Sequence, residues 1–126
     1  MVNAREFAAE VFRSVDVKDV GQFMNYLSED STFVFGNSEP VVGHTAIFGY
    51  VKDFLGMVRK TIHDIFDVWQ INEVIITRMS VTYTRHDGRR ASYPCVTVWE
   101  MTDGRIADYR IYIDNSGLFA DQGKAE

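Results

Sequence analysis

The sequence predicts an α+β domain in which three N-terminal helices pack on a curved antiparallel sheet. Three observations predict it. Apolar residues recur every three or four positions up to about Met57, the period becomes two from Thr61 onward, and the second half is punctuated by Asp87-Gly88 and Asp103-Gly104, both strong signals for tight hairpins. With 126 residues, 46% of them hydrophobic, the chain is long enough for one core and too short for two. The expectation is a single domain over 1–126, with a core at 4–114 and a C-terminal tail at 115–126.

Each element has a local reason. Phe7, Val11 and Val15 lie four apart behind Asn3 and Glu6, which are placed as a capping box, so Asn3 to Ser14 reads as a helix. Asp16 is positioned to cap a second, short helix carrying Val20, Phe23, Met24 and Leu27, which "SEDS" interrupts. "STFVF" reads as a strand and "GNSEP" as a loop. Thr45 to about Met57 is the third helix, with Ile47, Val51 and Phe54 on one face. Four strands follow, "TIHDIFDVWQI", "EVIITRMSVTYT", "RRASYPCVTVWEM" and "RIADYRIYI", with a tight break at Asn72 between the first two. Strands of this length twist and curl around whatever covers them. In the third, Tyr93, Cys95, Thr97, Trp99 and Met101 share one face while Val96 and Val98 occupy the other. A sheet with one face in water alternates more cleanly, so the second face is expected to be covered by another copy of the chain, in a homodimer packed through the sheet.

Composition narrows the function. Thirteen basic residues against 18 acidic ones give a formal charge of −5, and the Lys and Arg are scattered, which argues against a nucleic-acid partner. The apolar runs are far too short for a membrane span, so a cytoplasmic protein with no membrane partner is expected. Cys95 is the single cysteine, which excludes an internal disulfide and suits a buried small hydrophobe. His44, His63 and His86 fall on separate elements at no metal-like spacing, and neither a Gly-rich phosphate loop nor a dinucleotide fingerprint occurs. No metal and no cofactor are therefore expected.

The order helix, helix, "LSEDSTFVFGNSEPVVGHTAI", helix and a meander ending "WEMTDGRIADYRIYID" resembles the nuclear transport factor 2-like superfamily, and within it the SnoaL-like branch. The resemblance spans roughly Ala4 to Asp114. It implies a cone-shaped α+β barrel, usually dimeric, whose open end admits a small and often apolar molecule. It also implies a range of chemistries, including ketosteroid isomerisation, polyketide cyclisation, dehydration and epoxide hydrolysis. The isomerase groups, a carboxylate base, a tyrosine and a protonated acid, would fall at Phe35, near Val11 and near Thr97, and none of them is present. The two acids of the limonene-type epoxide hydrolases would fall at Ser80 and Ile111, with only their arginine retained, as Arg78.

What remains is a set of non-standard candidates. His63 is the side chain whose ordinary pKa suits proton transfer near neutrality, with Tyr109 or Tyr26 as a donor to a developing oxyanion; the competing reading is a structural histidine. Strand parity puts Arg78 and Ser80 on one face and Tyr109 and Ile111 together on theirs, and the resemblance implies that these faces line the cone. Arg78 then needs a partner, either Asp67, Asp64 or Glu100 in a structural salt bridge, or an anionic ligand. The candidate catalytic residues are thus His63, Arg78 and Tyr109, and the candidate ligand-binding residues Tyr26, Phe35, Ser80, Thr97, Trp99 and Ile111. His44 is expected to serve the loop before the third helix and His86 to be solvated in a hairpin tip. The ligand expected is a small hydrophobic molecule, and the alternative to an enzyme is a binding or accessory protein that has lost the family's acids.

Overall fold

Helix α1 (Ala4–Asp16) starts where Asn3 accepts hydrogen bonds from the backbone N–H groups of Arg5 and Glu6, and its apolar stripe of Phe7, Ala8, Val11 and Phe12 is buried. The computed structural model describes residues 3–120. Helix α2 (Val20–Met24) is capped by Asp19, whose Oδ1 accepts from the Gln22 N–H at 3.0 Å. The cap expected at Asp16 is therefore corrected: α1 runs through Asp16, and its carboxylate is used elsewhere. Leu27, expected in that second helix, opens strand β1 (Leu27–Phe35) and is fully buried. "SEDS" is thus strand rather than a break. A two-residue strand β2 (Val41–Val42) precedes α3 (His44–Gly56), whose buried face is Ile47, Val51 and Leu55.

The meander comprises β3 (Lys60–Ile71), β4 (Val74–Thr84), β5 (Arg90–Thr102) and β6 (Arg105–Ile113). Asp103 and Gly104 both take positive φ, 51° and 78°, the backbone that a two-residue hairpin between right-twisted strands requires. The six strands form one sheet in the order β2-β1-β6-β5-β4-β3, with β2 and β3 as its edges, so the cone does not close through strand pairing. The meander strands pair antiparallel as expected, and β1 joins the sheet parallel to β6. Helix α3 and the whole meander separate these two strands, so no tight turn forces them to be antiparallel.

The helices cover the concave face, and Trp99 sits at the centre of the core with none of its surface exposed. Phe7, Phe12 and Tyr109 surround it with ring centroids 5.3–5.8 Å away. Helix α1 is tied to β3 at both ends. At its start, the Arg5 guanidinium donates to the carbonyls of Ile65 and Phe66, where a bulge breaks the β3–β4 register. At its end, Asp16 reaches His63. His44 Nε2 lies 2.8 Å from the Leu27 carbonyl, joining the start of α3 to β1, and His86 is exposed. No helix among the described residues is long and apolar enough to cross a membrane.

Candidate functional site

The face of each strand that points under the helices follows from register, because residues directly opposite each other in a ladder project to the same side. His63 is opposite Val81, Met79 opposite Cys95, and Thr97 opposite Ile111. One continuous inner face therefore runs through His63, Val81, Met79, Cys95, Thr97 and Ile111. With Phe12 and Val15 of α1 and Tyr50, Val51, Phe54 and Leu55 of α3, this face encloses a mostly apolar cavity of about 60 Å³. Small-molecule pockets usually span roughly 300–1,000 Å³, so the space is narrow with its side chains in these positions. A second, more polar hollow of about 320 Å³ adjoins it, sharing Phe35, Tyr50 and Phe54 and otherwise bounded by residues such as Asn37, Ser38, Asp114 and Ser116. Three aromatic rings thus stand between an apolar chamber and a polar mouth.

The acid–base chemistry of the chamber is concentrated in one pair. His63 Nδ1 lies 2.6 Å from Asp16 Oδ1, and the His63 backbone N–H donates to Asp16 Oδ2 at 3.0 Å, so one carboxylate holds both the ring and its backbone. Phe12 stacks on the imidazole, with centroids 4.7 Å apart and planes 19° from parallel. A carboxylate accepts from Nδ1–H, which leaves Nε2 of the neutral ring as the free lone pair. No described residue bonds to that nitrogen. Burial pushes the Tyr83 and Tyr109 phenols well above their ordinary value and the Cys95 thiol up to about 12.

Of the residues expected at the site, His63, Tyr109, Phe35, Thr97 and Ile111 line the chamber. Four do not. Arg78 and Ser80 lie on the outer face, because the inner face of β4 is Thr77, Met79, Val81 and Tyr83. Arg78 pairs with Asp67 there, Nε donating to Oδ2 at 2.8 Å, and its guanidinium lies 5.5 Å from the centre of the Phe66 ring. Trp99 is enclosed in the core behind the chamber wall. Tyr26 lies away from the chamber, with its hydroxyl accepting from Gln22 Nε2. Sequence reasoning missed Asp16, which lies 47 positions from His63 and carries the local signature of a cap. It also missed Thr61, which occupies the same inner face of β3 as His63.

The SnoaL-like domain family matches residues 8–109. Among solved structures, a protein of unknown function from Burkholderia pseudomallei with the nuclear transport factor 2-like fold superposes with a TM-score of 0.84 at 16% identity, over 94% of this chain and 96% of that one. A protein with the ketosteroid isomerase-like fold from Catenulispora acidiphila, solved with trimethylamine, gives 0.84 at 13% identity, over 95% and 94%. A limonene epoxide hydrolase-like enzyme from Mycobacterium tuberculosis gives 0.77 at 17%, over 92% and 86%. None of the curated proteins matches the chain.

Proposed function

The chain belongs to the SnoaL-like domain family, and from that premise we propose that it binds a small, largely apolar molecule in the chamber and moves a proton there, with His63 as the base and Asp16 as its orienting acid. The Asp16–His63 pair at the chamber wall carries this reading. A base needs a lone pair aimed at substrate, a fixed tautomer and support for the charge it acquires. Nε2 supplies the first and Asp16 the other two. The apolar walls exclude water and strengthen that support. Proton abstraction from carbon, with isomerisation, dehydration or cyclisation following from the substrate's own leaving groups, is the reaction class that this arrangement serves.

The test is a panel of small carbonyl compounds and epoxides in D₂O, followed by NMR. Exchange or turnover by the wild type that is lost in His63→Ala supports the base. Binding without any turnover across the panel supports the second reading, a ligand-binding protein. That reading draws on Phe35, Thr97 and Ile111, apolar or neutral residues that line the chamber where related enzymes place acids.

The outer face supports a homodimer. Phe66, Trp69, Ile71 and Tyr112 are each about half exposed or more, and all four project from the convex side of the sheet. A dimer mass by light scattering at micromolar concentration, falling to the monomer mass in Trp69→Lys, is the expected outcome.

A further inference from the structure

Most polar groups around the chamber have partners. The Thr77 and Thr97 hydroxyls lie 2.5 Å apart, and Tyr50 donates to Ser38 at 3.0 Å. Thr61 is different. It is 3% exposed, lines the chamber, and its Oγ1 has no hydrogen-bond partner among the described residues. A buried hydroxyl left unpaired is costly, and valine would fill the same space without that cost. Thr61 and His63 are two positions apart on one face of β3, so their Cα atoms stand about 7 Å apart along the strand. The side chains of Thr61 and His63 thus border the same small apolar space.

We propose that Thr61 is the ligand's oxygen anchor and that the molecule taken by this chamber is a small apolar carbonyl compound with an acidic C–H beside the carbonyl. The assignment rests on the reading of His63 as base. The Thr61 hydroxyl donates to the carbonyl oxygen while the neighbouring C–H faces Nε2. Nε2 takes the proton, the C–H electron pair forms the new C=C bond, and the carbonyl π pair moves to oxygen, where the Thr61 O–H holds the enolate. Return of the proton to carbon restores the base. The spacing suits this geometry, since the α-carbon and the oxygen of one carbonyl compound fit between two side chains whose Cα atoms stand about 7 Å apart.

The experiment compares cyclopentanone with methylenecyclopentane, which has nearly the same shape but no oxygen, by NMR titration of the full chain in D₂O, and follows deuterium entering the ketone α-position. The wild type is expected to bind the ketone about three- to tenfold more tightly, the range of a single hydrogen bond. Thr61→Val should bring the two affinities together and slow exchange, and Thr61→Ser should restore the preference. The thermal midpoint of Thr61→Val should equal or exceed that of the wild type, because no bond within the fold is lost. Equal affinities in the wild type, no binding of either probe, a preference that survives in folded Thr61→Val, or a lowered midpoint in that variant would each overturn the proposal. His63→Ala separates the two assignments, since it should keep the preference and lose exchange. A preference that depends on Thr61, with no exchange in the wild type, upholds the anchor and removes the base.

Discussion

Two charged pairs on the β3–β4 part of the sheet behave as opposites. Asp16–His63 lies on the concave side, its side chains 23% and 12% exposed, with α1 above it and Phe12 stacked on the ring. Arg78–Asp67 lies on the convex side, its side chains 56% and 40% exposed, beside the ring of Phe66. The inner pair is screened little and has one nitrogen left over for chemistry; the outer pair is hydrated and satisfied. The difference shows that strand register, more than residue type, decides which ionisable group can act, because a one-position step along β4 exchanges chamber for solvent.

The sharpest way to break this comparison is to remove the inner base. His63→Ala should reduce proton transfer by about 10²–10⁴-fold, the usual contribution of a positioned base, as measured by α-hydrogen exchange of a small ketone. Asp16→Asn should cost roughly ten- to a hundredfold, the worth of a charged hydrogen bond, because the amide no longer supports the imidazolium. An unchanged exchange rate in either variant would reduce the inner pair to a structural contact.

The next test steps one position along β4. Met79 is buried and Ser80, beside it, faces outward. Met79→Ala should destabilise by about 2–5 kcal/mol through the cavity it leaves. Ser80→Ala should stay within about 0.5 kcal/mol. Equal effects in urea denaturation would contradict the assignment of faces. Breaking the outer pair by Arg78→Ala should cost only about 0–1 kcal/mol, and less in high salt, because both partners are hydrated.

The smallest effect concerns the Cys95 thiol, which burial pushes up to about 12. At pH 8 only about one thiol in ten thousand would be ionised in the folded chain, so alkylation should be far slower there than in urea. The sign of the linkage is fixed. A folded-state value above the unfolded one contributes stability that is intact below about pH 8.5 and is lost as pH rises towards 12.

Much of this architecture was legible in local pattern. Asn3 announced α1, Asp103-Gly104 announced the β5–β6 hairpin, and the switch of period near Thr61 announced the meander. The family and its cone were legible for the same reason, since they rest on the order of such elements. The site was legible only in part: His63, Phe35, Thr97, Tyr109 and Ile111 were placed at the chamber, whereas Arg78 and Ser80 were placed one residue out of phase with the inner face.

Local pattern carried the three helices, five of the six strands, their order and the hairpins, all of which depend on interactions within a few positions of chain, and the burial of Cys95. It also divided every strand into two sets of side chains. Tertiary contacts alone settled which set was covered, that Asp16 ends a helix lying across β3 and so holds a histidine 47 positions away, and that the Thr61 hydroxyl, two positions from that histidine, is buried without a partner among the described residues. The physical reason is that a period of two is symmetric between the faces of a strand. The symmetry is broken by the register with neighbouring strands and by the helices that pack on one side, and both are long-range contacts.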